Sequence, residues 1–232
     1  MRRLLAAGLL LAVSAAASWS LPLRYGFSIG STLGMAAGSD WDAVKESVRS
    51  YFESYGFSVS VRDGIGAGWN MGAFVETPLL GPLRLRLGLA YDEPSAAMRI
   101  TNTADPEDWV RWIERYRLLE APAVLSLQLG KGFSLLGGGF GAWRVGDLRE
   151  IIDGPSDRDT SSVSAEGYAD FLFGVTAGVE FAQRIGSSES LYLDVQYLHA
   201  LSPITDLEAP GTNDFYLRSL LICIGVSVST GQ

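Results

Sequence analysis

The sequence predicts an all-β chain, an eight-stranded antiparallel up-and-down transmembrane β-barrel with a short helix in an extracellular loop. Three observations predict it. Eight runs alternate apolar with small or polar residues at period two. The links between those runs alternate long and short. Lysine is almost missing, with only Lys45 and Lys131, although a water-facing surface normally carries many.

The first twenty residues form a unit of their own. Arg2 and Arg3 precede the apolar run Leu4 to Val13, and Ala15-Ala16-Ala17 fits a small-residue cleavage site. This predicts a signal peptide over residues 1–20, cleaved near residues 17–20, and a barrel domain over 21–232. The apolar run is short against the ~20 residues that a spanning helix needs. No cysteine follows it, which excludes a lipoprotein anchor. Cleavage removes two arginines and no acid, taking the formal charge from −8 to −10. An acidic chain of this kind is a poor match for nucleic acid.

The first run, Tyr25 to Met35, sets Tyr25, Phe27, Ile29, Leu33 and Met35 against Gly26, Ser28, Gly30, Thr32 and Gly34. Trp69 to Val75 sets Trp69, Met71, Ala73 and Val75 against Asn70, Gly72 and Phe74, with Glu76 next on that side. In Leu83 to Tyr91 one face is leucine at 83, 85, 87 and 89, and the other carries Arg84 and Arg86. Leu119 to Leu129, Phe133 to Val145, Asp170 to Phe181, Leu191 to Tyr197 and Phe215 to Ser229 complete the eight. Most are about ten residues or longer, the length of a tilted strand crossing a hydrocarbon core.

The reverse faces decide which side is wet. They carry Gly, Ser and Thr with scattered charges of both signs, as the crowded interior of a narrow barrel requires. The apolar rows then face lipid. Arg24, Glu76, Arg84, Arg86, Glu120, Arg144, Asp170, Glu180 and Asp194 form the expected lumen charge network, since buried charges must pair or be hydrated. An eight-stranded barrel is just wide enough for its own side chains, so these pairs are expected to plug it rather than line a pore. Trp69, Trp109, Trp112, Trp143 and Tyr197 are the expected aromatic girdle.

The long links are Gly38 to Gly66, Asp92 to Arg111, Asp147 to Gly167 and Ser202 to Asn213; the short ones are Pro78 to Pro82, Gly130 to Gly132 and Ile185 to Ser190. Both termini fall on the short-turn side, which puts four long loops outside the cell. Ser39 with Asp42 three residues on resembles a capping box, and Val44, Val48, Tyr51, Phe52 and Tyr55 follow at helical spacing, so the first loop is expected to lay a helix over the rim. Asp105-Pro106-Glu107-Asp108 reads as a second helix start.

Leu118-Leu119-Glu120-Ala121-Pro122, the run Gly137 to Ala142, the Gly-rich strand Asp170 to Phe181 and the stretch Leu193 to Ile204, ending Ala200-Leu201-Ser202-Pro203-Ile204, occur in an order that resembles the PorT-like outer-membrane β-barrel family. The likeness runs from about Tyr25 onward. It implies an OmpA- or OmpX-like eight-stranded barrel, a place at the outer membrane and no catalytic residues. The chain departs from such barrels in ending Val228-Ser229-Thr230-Gly231-Gln232, without the usual terminal aromatic residue.

Catalytic chemistry finds little purchase. His199 is the only histidine, which rules out a multi-histidine metal site. A triad would need His199 with Ser202 and Asp206, yet no nucleophile motif surrounds them. Gly137-Gly138-Gly139 lacks the lysine and helix of a phosphate loop and reads as close strand packing. Asp153, Asp157 and Asp159 read as a solvated acidic loop, their spacing being unlike a calcium loop. Cys223 is expected as a free thiol on the inner face. The chain is therefore expected to be no enzyme, with no cofactor and no metal. Its expected partners are outer-membrane lipid and an extracellular or envelope protein met through the loops. A small lipid-modifying enzyme and a narrow pore are the alternatives.

Overall fold

A computed structural model describes residues 22–155, 157–164, 167–204 and 215–230. The expected signal peptide and Asp206 lie outside them, as does most of the link Ser202 to Asn213. The described chain holds twelve strands and one helix: β1 (Arg24–Ala37), α1 (Ser39–Ser54), β2 (Val59–Leu80), β3 (Leu83–Asp92), β4 (Ser95–Asn102), β5 (Trp109–Arg115), β6 (Leu118–Gly130), β7 (Phe133–Arg144), β8 (Leu148–Asp153), β9 (Arg158–Val163), β10 (Phe171–Arg184), β11 (Glu189–Ala200) and β12 (Tyr216–Ser229).

Eight of these close a barrel in the order β1-β12-β11-β10-β7-β6-β3-β2, and β2 returns to pair with β1. All the ladders are antiparallel. The eight strands are the eight alternating runs of the sequence. Pairing every strand on both sides leaves no open edge, which a lipid-facing sheet requires. The wall shows the expected sidedness: Phe27, Ile29, Leu87, Leu125, Phe173, Phe181, Leu193, Ile224 and Val226 are exposed on its outside, while Thr32, Glu76, Thr176, Glu180 and Ser227 are buried inside.

Short turns join the strands at one end. Lys131 and Gly132 both take positive φ, 52° and 78°, in the two-residue link of β6 to β7, the backbone that matches the twist of a tight hairpin. The other end carries the long links, and three of them are not loops. The first half of β2, Val59 to Ile65, leaves the barrel and pairs with β4. Strands β5, β8 and β9 extend that ladder. The result is a five-stranded loop sheet, β2-β4-β5-β8-β9.

This corrects three expectations. Strand β2 begins ten residues before Trp69. The segment after Asp105 does not start a helix; it turns the β4–β5 hairpin, with the Asp108 amide donating to the Asp105 carbonyl at 3.0 Å. The acidic third loop is the β8–β9 hairpin. The helix of the first loop is present over Ser39–Ser54, but Gly38 is its N-cap and no side chain caps it, so the capping-box reading of Ser39 fails.

Candidate functional site

Inside the wall the side chains form three tiers. The tier at the short-turn end is ionic. The Arg86 Nη2 donates to Glu76 at 2.9 Å and to Glu180 at 2.5 Å, and its Nη1 donates to Asp194 at 3.1 Å. Arg24 donates to Glu180 at 2.6 Å and to the Ser227 hydroxyl at 2.9 Å. Both guanidiniums lie against the Phe74 ring, Arg86 at 4.1 Å and Arg24 at 5.4 Å from its centroid. Arg84 stands at the edge of the cluster, 3.5 Å from Glu76 and 28% exposed. Three arginines thus face three carboxylates. Strand alternation brings them together, because all six fall on the inward parity of five strands, Arg84 and Arg86 being successive inward residues of β3.

The middle tier is a cavity of about 70 Å³ whose lining mixes Asn70, Glu120 and Gln196 with apolar Val124, Phe140 and Leu221. It has room for a few waters. Glu120 is buried here, away from the arginines, so it does not join the ionic tier expected of it. The nearby Asp92 accepts a hydrogen bond from the Thr32 hydroxyl. Cys223 is a free, buried thiol 3.5 Å from the Asn70 oxygen.

The top tier is apolar. Ala36, Leu118, Ala142, Leu172, Ala200 and Leu217 from the barrel strands pack with Val61, Ala96 and Met98 of the loop sheet and with Trp41 of α1. Trp41 stacks on Trp112 at 6.5 Å and on Phe215 at 5.2 Å, and its Nε1 donates to Asp63 at 2.8 Å. Lys45 bonds the same carboxylate at 2.8 Å. Burial opposes the charge on Lys45, but Asp42 and Asp63 outweigh it and raise the lysine above its ordinary value. Glu114, under this roof, accepts from the Tyr116 hydroxyl at 2.7 Å and the Tyr168 hydroxyl at 3.1 Å. Burial pushes its carboxyl up, against the pull of those two hydroxyls, and Glu150 adds to the rise.

Two expected lumen charges stand elsewhere. Arg144 binds the Asp170 carboxylate, whose side chain is 91% exposed, and the carbonyls of Ala169 and Gly146 at 3.3 and 3.2 Å. The pair clips the chain at the barrel mouth, because both residues fall at strand ends above the lumen. The girdle also divides. Trp69, Trp143 and Tyr197 are exposed on the outer wall, where Trp69 meets Tyr91 at 5.0 Å and Trp143 meets Phe171 at 5.1 Å. Trp109 and Trp112 belong instead to β5 of the loop sheet. Trp112 turns onto Trp41, and Trp109 lies under Arg99 at 4.7 Å. A segment read as loop became a strand, and its side chains followed the new sheet.

His199 stacks on Tyr197 at 6.3 Å and its Nδ1 is buried with no hydrogen-bond partner among the described residues. The Ser202 hydroxyl is bound to the Phe173 backbone, accepting from its amide at 2.9 Å. Within the glycine run, Gly138 sits in β7 where a Cβ would lie 2.2 Å from the Ala123 carbonyl, so close strand packing requires a glycine there, whereas Gly137 has open space around it. Among the described residues no group of three or more His, Cys, Asp or Glu is placed to hold a metal ion.

The residues that sequence reasoning missed are on the loop sheet. Register places Arg62, Arg99, Arg111, Arg115, Arg149 and Arg158 on one face of it, opposite the face that meets the roof. The available signal was the alternation Trp109, Arg111, Ile113, Arg115 within a segment bounded by charged and polar residues.

No family model and no curated protein matches this chain. Among solved structures, the Neisserial surface protein A is similar over 88% of this chain and 96% of its own, at 12% identity and a TM-score of 0.37. The attachment invasion locus protein Ail of Yersinia pestis, in complex with the heparin analogue sucrose octasulfate, is similar over 88% and 98%, at 10% identity and 0.40. The outer membrane protein OprG of Pseudomonas aeruginosa is similar over 91% and 98%, at 11% identity and 0.38. The barrel itself stands on its own closure, the β1–β2 ladder, and the functional reading rests on this chain's residues.

Proposed function

We propose that this protein is a bacterial outer-membrane barrel of the PorT-like kind, whose scaffold is inert and whose working part is the helix and sheet beyond the long-loop rim. It acts by surface interaction, through an extracellular or envelope partner, with lipid as the solvent of its wall. The observation that carries the reading is the stack inside the wall, where an ionic cluster, a small cavity and a packed apolar roof occupy the lumen largely with the chain's own side chains. Loops on a rigid scaffold are where binding resides, and here three loops have been made into a folded unit. The exposed apolar wall supports the membrane assignment, because a soluble protein rarely exposes so large a contiguous apolar surface.

The test is heat-modifiable migration on detergent gels after outer-membrane fractionation, joined to planar-bilayer recording. The reading expects a shifted band in the outer-membrane fraction and silent bilayers. Steady conductance would replace it with the narrow pore, and extraction by salt or alkali without detergent would replace it with a soluble periplasmic barrel.

A further inference from the structure

The arginine face of the loop sheet is arranged against ordinary sheet physics. Arg62, Arg99, Arg111, Asp153 and Arg158 stand directly opposite one another, in that order, across β2, β4, β5, β8 and β9. With strands about 4.8 Å apart the row is about 19 Å long. Arg115 and Arg149 are opposite each other in a second row on the same face. Like charges in directly opposed positions destabilise a sheet. Only Arg111 has a carboxylate within the first row, Asp153 at 2.6 Å. Arg115 reaches Glu93 at 3.6 Å, an acid that Arg117 also approaches. Among the described residues Arg62 bonds the Ser60 hydroxyl alone, at 3.3 Å, and Arg99 rests on Trp109. The Nε atoms of Arg111 and Arg115 are buried without an acceptor among the described residues. Six of the sixteen arginines of an acidic chain therefore share one face with a single directly opposed aspartate.

We propose that this face binds an extended sulfated or phosphorylated polysaccharide along the row Arg62, Arg99, Arg111 and Arg158. The proposal rests on the surface-interaction reading above and names its ligand class. Guanidinium forks suit the oxygens of sulfate and phosphate, which each accept two parallel hydrogen bonds. A straight row across five strands suits a polymer with repeated anionic groups better than a single small anion. The row also lies four residues of β2, about 13 Å of strand, past Gly66, the last residue that pairs with β1. That places it beyond the barrel rim, where a ligand free in water reaches it. Single-stranded nucleic acid is disfavoured because its binding sites interleave stacking aromatics with the basic groups, and the one ring at this row, Trp109, is covered by Arg99.

The experiment uses the full chain in detergent micelles and fluorescent dextran sulfate, with uncharged dextran as the control. The R62Q/R99Q/R158Q variant removes the three arginines of the row that hold no ion pair among the described residues. Saturable binding of dextran sulfate that weakens as salt rises, no binding of uncharged dextran, and at least tenfold weaker binding by the variant are the expected results. If limited proteolysis shows that the loop sheet of that variant no longer folds, the single R158Q variant on the outermost strand decides, with binding two- to threefold weaker expected. Equal affinity of folded variant and parent overturns the proposal. So does binding confined to phosphatidylglycerol vesicles, which would make the face a lipid headgroup contact. Failure to bind dextran sulfate while bilayers stay silent overturns the ligand assignment alone, whereas conductance overturns the reading beneath it.

Discussion

Trp41 of helix α1 stacks on Phe215, the residue before the last barrel strand, with ring centroids 5.2 Å apart. The contact joins the first long link to the final one and sets the keystone of the apolar roof. Truncating a buried tryptophan costs roughly 3–5 kcal/mol in a well-packed core. W41A is therefore expected to free α1 while the barrel persists. Limited proteolysis should cut within Ser39–Ser54, and migration of the unheated barrel on detergent gels should be unchanged.

Arg86 is the hub of the ionic tier, bonded to Glu76, Glu180 and Asp194. Replacing it with methionine leaves three buried carboxylates without their main counter-charge. Breaking a buried pair in this way costs about 3–5 kcal/mol. The R86M midpoint in urea should fall accordingly. R84M is the comparison: its partially exposed side chain pairs with Glu76 at 3.5 Å, and its cost should stay within about 1 kcal/mol.

Two glycines predict opposite outcomes. At Gly68 a Cβ would fall 1.7 Å from the Glu93 carbonyl oxygen, where the chain leaving β3 crosses the barrel mouth. G68A must push that crossing away, and overpacking of this kind costs about 1–3 kcal/mol. At Gly137 a Cβ would meet nothing within 4 Å. G137L should fold as the parent does, adding apolar surface to the outer wall. Thermal unfolding followed by circular dichroism separates the two.

The roof should respond to pH with a definite sign. Burial raises the Glu114 carboxyl above its ordinary 4.5. An acid raised on folding contributes stability that is complete below the unfolded value and is lost as pH climbs through the folded one. The loop sheet should therefore resist protease better in mild acid than in mild alkali, and E114Q should flatten that slope. Asp63 acts oppositely. Burial would raise it, but Lys45 and Trp41 hold it below 3.8, so its grip on α1 is present above that value and is released as pH falls through the lowered one.

The barrel was legible because each of its strands buries one face and exposes the other to an apolar surrounding. Leu83 to Tyr91, with leucine at 83, 85, 87 and 89 and then Tyr91 on one side and Arg84 and Arg86 on the other, is such a strand. The ionic tier was legible for the same reason: Arg24, Glu76, Arg86, Glu180 and Asp194 each fall on the inward parity. The loop sheet was not. Its strands are covered in part on both faces, so β4 presents four successive buried residues, Ser95 to Met98, and shows no alternation. Strand β9, Arg158–Val163, has no apolar period at all and is placed by pairing with β8 alone. Gly64, Gly66 and Gly68 read as loop residues, yet Gly66 and Gly68 give Ser95 and Glu93 room to pass close over β2. Arg144 and Asp170 had the right parity but lie at strand ends, and alternation says nothing about height along the axis.

The loop sheet is assembled from three separate links, with the β6–β7 hairpin intervening between β5 and its partner β8. Its β5–β8 ladder is expected to close once the β6–β7 hairpin between them has formed and brought the two strands side by side. An incomplete barrel would thus carry the arginines on unconnected tethers, too far apart to act in concert. The binding surface comes into being only with the finished cylinder, so antibodies or ligands that recognise the intact row would report correct insertion of the whole chain.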